Sequence, residues 1–417
     1  MIFFYLLVTV LPLTVHPVWS MFVGDLTVVK YLGLVCVLYA AGDLMTQPRP
    51  VDFFRTSQAR LFLGFMAFVT VSFLAHSGRV ALELSPFMVC LSLAMMFFAT
   101  LVLVNSLTRL RWTLVAAIGG LAFASLYVLR EFQKYYSPNT PMRPGYVVGD
   151  PNYFTLSAVL CIPLAFALMQ ERRPRWLRPF AATCLVLMIL AVTVAASRGG
   201  FLGLLTAFLF VLWRSKRRAR NFLVLACLIV PLSIVAPISP LARLVSPSRS
   251  DGVAKDTRYL LWGAGLSMFQ ENWLTGVGVG HFKSLATTYQ EPGQKQVQAI
   301  AHNTYIQLAA ELGVVGILLF LGVLAGAFRS LQRTAAQALR LRNSLLYHSA
   351  SGIQGGLVGY TVGAFFVSAE FQRLLWFMIF VSICLSELTR QLVRRAAREP
   401  RHPRREVPER SVTGRDS

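Results

Sequence analysis

The chain has 417 residues, 55% of them apolar and only 14% charged, with a mean hydropathy of +0.58 and a net charge of +22. Soluble chains of this length carry charge on about a quarter of their residues, so a soluble enzyme is excluded. Nucleic-acid binding is excluded too: the bases gather in short connections between apolar blocks, a pattern that serves a membrane surface.

The blocks begin at the first residue. Positions 2–15 resemble the apolar core of a signal peptide but lack the preceding bases, so they read as a first span. Residues 81–104 hold one acid, Glu83, and no base, and residues 181–196 hold no charge. Backbone polarity inside lipid has to be satisfied within the segment, so such blocks are helices. The pattern predicts spans at 2–18, 22–42, 61–77, 82–104, 112–129, 152–169, 179–196, 200–213, 221–237, 304–328, 345–367 and 371–389. Twelve spans of roughly 20 residues take about 240 residues and leave no room for a separate soluble domain. Cys36, Cys90, Cys161, Cys184, Cys227 and Cys384 all fall inside apolar blocks without a CxxC, and read as small buried hydrophobes.

Alternate connections are basic. Residues 43–60, 105–111, 170–178, 214–220, 329–344 and the tail from Arg390 hold 27 of the 40 lysines and arginines. The bias of lysine and arginine over short loops sets orientation, so both ends are expected in the cytoplasm. The tail, 390–417, mixes nine bases with prolines and acids and reads as disordered chain near anionic lipid. The domain plan is therefore a transmembrane unit, 1–389, followed by that tail.

Two outward connections are longer than a turn requires. One covers 130–151 and ends in the run GDPN at 149–152. The other, 238–302, is by far the longest and is expected to carry the functional mass. Within it, 256–273 reads as an amphipathic helix. Its Tyr259, Leu260, Trp262, Leu266 and Phe269 would lie on the outer membrane face. A glycine-rich stretch, LTGVGVGHF, follows at 274–282.

Three residue types in these outward regions carry chemistry. Arg198, in ASRGG, is a base on the side where bases are scarce. It reads either as a side chain snorkelling at a hairpin turn or as an anion site, its planar fork matching phosphate oxygens while Gly199 and Gly200 let a head group approach. Arg258 near the start of the loop helix would join it on the same diphosphate, or is simply a charge at a helix start. Arg143 is a further outward base with only its location to recommend it. His302 sits where the long loop re-enters the membrane, with an ordinary pKa suited to a general base. Tyr305 shares its face if helix has begun there, and His281 is a competing histidine. The acids of the loop, Asp251, Asp256, Glu271 and Glu291, form no close pair, so the pattern favours arginines over a metal, and no nucleotide fingerprint is present.

Three pieces in order carry a family resemblance: ASRGG with Arg198, TRYLLWGAGLSMFQENWLTGVGVGHF with Arg258, and AHNTYIQLAAELGVVGILLFLGVL with His302. GDPNYF at 149–154 agrees with them. The chain resembles the O-antigen ligase and Wzy-type polymerase superfamily of bacterial envelope enzymes, most strongly from residue 143 to about 324. The resemblance implies an all-α, polytopic membrane bundle of about twelve helices in the bacterial inner membrane. It also implies a periplasmic catalytic loop, 238–303, with interfacial helices. The activity it implies is transfer of a glycan from an undecaprenyl diphosphate carrier to a hydroxyl of a glycan, of lipid A-core or of a protein, without metal or other cofactor. His302 would activate the acceptor, Arg198 and Arg258 would hold the diphosphate, and Tyr305, Arg143 and His281 would support them. Attack on the anomeric carbon by an acceptor activated in this way predicts inversion. A transporter or flippase of lipid-linked sugars is the alternative, and would need charged or broken helices at the midplane.

Overall fold

The computed structural model describes residues 1–13, 22–23, 26–47, 56–76, 85–135, 143–215, 218–219, 222–223, 249–291 and 296–398. Apart from two positions, the expected span at 221–237 lies outside them, as does Cys227.

Helices account for nearly all of the described chain. In order they are α1 (Ile2–Val10, continued by a 3-10 turn Leu11–Leu13), α2 (Val28–Thr46), α3 (Ser57–His76), α4 (Ser85–Leu103) and α5 (Leu107–Tyr135). Then come α6 (Pro151–Leu168), α7 (Leu177–Ala195), α8 (Arg198–Arg214), α9 (Arg249–Glu271) and a single turn, α10 (Phe282–Leu285). The chain closes with α11 (Thr304–Arg340), α12 (Ser344–Gly363) and α13 (Arg373–Arg398). Seven of these, α2, α3, α5, α6, α7, α11 and α13, are long and apolar enough to cross a membrane, and Ile2–Leu13 and Phe87–Leu103 are shorter apolar helices. The molecule is thus an all-helical, multi-pass membrane protein.

Several boundaries differ from expectation. The second span was expected from residue 22, but Phe22–Val23 and Leu26–Thr27 form a short antiparallel ladder, and helix starts only at Val28. Gly24 and Asp25, both poor helix formers, interrupt the apolar run there. The last helix runs through Arg398, past the expected end at 389, and two arginines in its last turn, Arg395 and Arg398, favour it by opposing the helix dipole. The loop helix begins at Arg249 rather than 256.

Local chemistry explains the starts that matter. Asp150 caps α6 by accepting from the N–H groups of Asn152 and Tyr153, with Pro151 in the first helical position. Ser197 caps α8, Asn303 caps α11 and Asn343 caps α12, each through a side-chain oxygen.

At the centre, α12 packs against α6, α8 and α11. Lipid tails are as apolar as leucine, so helices in a membrane associate by close packing and small residues at the seam. Here Gly352, Gly356, Gly359 and Gly363 form that seam. A methyl added at Gly359 would stand 2.5 Å from the Gly203 carbonyl, and one added at Gly203 would stand 2.7 Å from the carbonyl of Gly359. Side chains on α2 such as Leu34, Leu38 and Tyr39 remain exposed, as lipid-facing residues do.

Contacts between helix ends fall into two groups. The first holds Met1, whose amino group interacts with the charges of Arg109 and Asp43; elsewhere Glu171 accepts from the Ser344 hydroxyl at 2.6 Å. The second holds the end of α5, both turns at 143–153 and 195–200, the loop helix and the segment 364–373. There the buried Glu131 accepts from Gly145 N–H at 2.8 Å.

Candidate functional site

Arg198 opens α8 within the second group of helix ends, half-buried, directly after the capping Ser197. Its turn is braced from the side. Asn152 Oδ1 accepts from the Ser197 hydroxyl at 2.8 Å and from Arg143 Nη2 at 2.9 Å, and Arg143 Nε donates to the Ala195 carbonyl at 3.2 Å. Arg143 therefore ties the GDPN turn to the ASRGG turn. Ala196, with φ 49°, makes the left-handed corner between α7 and α8. Neither following glycine tolerates a side chain: a Cβ on Gly199 would meet the Phe366 ring, and one on Gly200 would meet Thr155.

His302 lies across the same wall. Its φ of 51° is left-handed, a conformation costly for a residue with a Cβ and concentrated at functional positions. Three hydrogen bonds hold it there. Ala301 N–H donates to Gln307 Oε1 at 2.9 Å, the Ala301 carbonyl accepts from Trp262 Nε1 at 2.9 Å, and Asn303 N–H donates to Ser368 Oγ at 3.3 Å. Thr304 and Val367 close the seam, hydroxyl to carbonyl, at 2.6 Å. Segment 366–368 thus touches Gly199 on one side and Asn303 on the other, and this wall is what connects Arg198 to His302.

Arg258 reaches His302 through electrostatics. Burial lowers the His302 pKa below the ordinary value, the Arg258 charge lowers it further, and Asp150 opposes both. The neutral ring, with a lone pair available, is therefore the resting form at neutral pH. Arg258 and Trp262 are one turn apart on α9, so the hydrogen bond of Trp262 to the His302 loop also brings Arg258 into range. Sequence reasoning had placed Trp262 on the lipid side. It is instead half-buried, while Tyr259 and Leu266 are exposed and Leu261, Ala264 and Met268 are buried.

The remaining candidates have other partners. Tyr305 donates its hydroxyl to the Thr361 carbonyl at 2.7 Å and packs its ring 4.5 Å from that of Phe365, fastening α11 to α12. His281 precedes α10, with Nδ1 3.1 Å from the Val279 carbonyl and its ring 6.3 Å from that of His76.

A break in α11 shapes the floor of this region. Gly313 has φ 62° and ψ −164°, which opens the helix, and the glycine-rich stretch fills the gap. Val277 N–H donates to the Ala310 carbonyl at 2.9 Å and Val314 N–H to the Trp273 carbonyl at 2.8 Å. Glu311, buried, accepts from the N–H groups of Gly280 and Phe282 at 2.8 and 3.2 Å and from Gln307 Nε2 at 2.6 Å. Gln307 and Glu311 thus hold the loops on both sides of His302 in one network.

Gln307, Ser368, Asn152 and Glu370 were not singled out from sequence, and Trp262 was read only as part of an amphipathic face. Gln307 and Glu311 carried a legible signal, two polar residues four apart inside an apolar helix. Ser368 carried little, because its partners Asn303 and Gln307 lie 65 and 61 residues away. Burial and then the nearby Glu311 push the Glu370 carboxyl up to about 8, and its Oε2 has no hydrogen-bond partner. Among the described residues no three histidine, cysteine or acidic side chains gather as metal ligands.

Fold and site together define a polytopic helical membrane protein with a polar cluster of arginine and histidine at one face. A family model described as O-antigen ligase (Wzy_C) matches residues 183–321, less than half of the chain but inclusive of Arg198, Arg258 and His302. The match associates this part of the chain with O-antigen ligase and polymerase-type proteins. No curated protein matches the sequence.

Proposed function

We propose that the protein transfers a glycan from a polyprenyl diphosphate carrier, undecaprenyl diphosphate in bacteria, to an acceptor hydroxyl at the periplasmic face of the inner membrane. The observation that carries this reading is the His302 loop: a clamped, left-handed, neutral histidine within electrostatic reach of Arg258, across one wall from the Arg198 turn. The acceptor hydroxyl yields its proton to His302 as its oxygen attacks the anomeric carbon. The bond from that carbon to the diphosphate breaks, and the carrier diphosphate leaves with its charge held by Arg198 and Arg258. One displacement inverts the anomeric centre. The arginine forks supply the neutralisation a metal would otherwise provide.

The twelve-span plan with both ends in the cytoplasm belongs to this reading. Its support is the gathering of 27 of the 40 lysines and arginines in alternate connections. The acceptor is a glycan, lipid A-core or a protein.

The break at Gly313 is the one feature favouring a transporter, since such folds bind substrate at unwound helices. Against it, the opened peptide groups of α11 are occupied by the segment 273–278 of the same chain, which leaves no unwound backbone for a substrate there.

Single-turnover transfer by purified His302→Ala protein, paired with a donor-binding measurement, tests the proposal. Transfer should fall by roughly two to four decades with donor binding retained. Unchanged transfer, or joint loss of binding and transfer, rejects His302 as the base. Translocation of carrier without consumption of its glycan would establish the transporter instead.

A further inference from the structure

The starts of α5 and α7 meet at a corner far from this chemistry: Trp112 lies about 28 Å along α5 from Glu131. Between α6 and α7 the chain reads QERRPRWLR, which carries Arg172, Arg173, Arg175 and Arg178. Trp176, just before α7, stacks on Trp112 with ring centroids 5.2 Å apart and planes 24° apart. Phe180 closes the group edge-on at 6.1 Å. Both indoles remain open to the surroundings, Trp112 at 45% and Trp176 at 39% exposure. Arg111, the residue before Trp112, is half-buried, and its Nε is buried without a hydrogen-bond partner. Arg178 is engaged with the Glu171 carbonyl through its Nε at 2.9 Å, while Arg172, Arg173 and Arg175 are exposed. Glu171, the acid of this connection, is buried and turned toward α12, where it accepts from the Ser344 hydroxyl. The charge that this corner presents outward is therefore positive.

A guanidinium keeps its charge at any ordinary pH, so a buried N–H on it is costly to leave without an acceptor. Exposed tryptophans at the ends of spanning helices lie at the level of the lipid headgroups. We propose that this corner binds one anionic phospholipid of the bilayer. Its phosphate accepts from Arg111 Nε and lies among the exposed arginines of the loop, and its glycerol esters lie against the Trp112–Trp176 pair. The exposed ring faces select a lipid over free phosphate, because they offer apolar area where the acyl chains begin. The arginines select an anionic headgroup over a zwitterionic one, whose own positive charge would be set among theirs. A lipid held in this way ties α5 to the connection between α6 and α7. The site does not depend on the transferase reading, and it contains none of the groups placed in the reaction.

The test is lipid retention by the full chain, purified in detergent and measured by native mass spectrometry. The probes are phosphatidylglycerol and phosphatidylcholine with matched acyl chains, and inorganic phosphate is the competitor. Wild type should retain one phosphatidylglycerol in preference to phosphatidylcholine, and excess phosphate should not displace it. Arg111→Gln should weaken retention about tenfold, the scale for losing one hydrogen bond to a charged group. Arg172→Gln/Arg175→Gln changes exposed side chains alone, so folding is preserved. It should weaken retention roughly twentyfold, about fivefold for each base close to anionic lipid. Trp176→Ala, which opens the stack, should weaken it about fivefold, the scale of one aromatic contact. Arg390→Gln, on α13 and paired with Glu387, should match wild type. Equal retention of the two lipids, or displacement by phosphate, would overturn the assignment. So would wild-type retention by the folded Arg172→Gln/Arg175→Gln protein. An equal loss in Arg390→Gln would overturn it as well, because the charge of the whole surface, and not this corner, would then hold the lipid.

Discussion

Trp262 Nε1 donates to the Ala301 carbonyl at 2.9 Å, and through this one bond the helix bearing Arg258 is docked on the loop bearing His302. Trp262→Phe keeps most of the ring and removes the donor. A neutral hydrogen bond contributes about 1 kcal/mol, so transfer should fall about fivefold while thermal stability changes by only a few degrees. A matched rise in the His302 pKa, read by NMR titration of the imidazole, would show that Arg258 has moved away; an unmoved pKa would refute the coupling.

The opposing charges around His302 give a signed prediction. Burial and Arg258 disfavour the imidazolium, and Asp150 favours it. Because the base form is needed, activity should fall on the acid side as His302 protonates, at a pH below the ordinary histidine value of about 6.5. Arg258→Ala should move this titration upward. Asp150→Asn should move it further down while keeping the helix cap, since asparagine caps as well as aspartate. Shifts of the same sign in both variants would contradict the arrangement.

Asn152 should matter as much as an arginine it never replaces. Its Oδ1 receives both Ser197 and Arg143, so Asn152→Ala frees the turn that presents Arg198. The expected outcome is weaker donor binding, about tenfold for two lost hydrogen bonds, with the His302 titration unmoved. A pure loss of turnover with normal donor affinity would assign Asn152 elsewhere.

The break in α11 should be intolerant of a methyl group. Gly313→Ala puts a Cβ against the backbone of Leu274 and Thr275 at a left-handed φ. Positive φ with an extended ψ, a region essentially confined to glycine, costs about 1–3 kcal/mol, and the overlap adds to it, so little folded protein is expected by size-exclusion chromatography. Gly33→Ala, in α2 with nothing within 4 Å, should be neutral or slightly stabilising.

Reporter fusions after Arg217 should read cytoplasm, and fusions after Arg249 and Lys295 should read periplasm. A cytoplasmic signal at Arg249 would remove the basis of the transferase reading.

What could be read from sequence and what could not separates along physical lines. Long apolar blocks impose helices because lipid offers the backbone no partner, so α3, α5, α6 and α7 appear close to where the pattern puts them. Arg198, Arg258 and His302 stood out in the sequence because charges are scarce on that side of an apolar chain, and the roles given to them belong to the proposed function. The bracing did not stand out. Whether Trp262 turns to lipid or to Ala301, and whether Arg143 is idle or holds Asn152, is decided by contacts between distant segments, and neither hydropathy nor spacing encodes them. The hydrogen bond from the Tyr305 hydroxyl to the Thr361 carbonyl is of the same kind, a link between α11 and α12 that spacing does not announce.

The contact between Gly203 and Gly359 sets a gauge between two rails. Arg198 stands five residues above Gly203, about 7.5 Å along the helix, and Phe366 tops the opposite rail just beyond Gly359. Widening the rails at the glycines by the width of a methyl would splay their upper ends and carry Arg198 away from the wall it shares with His302. A substitution buried among apolar side chains, touching no charged group and no substrate, would then act as a loss of donor affinity. Damage to the reaction can therefore originate well below the surface at which the reaction takes place.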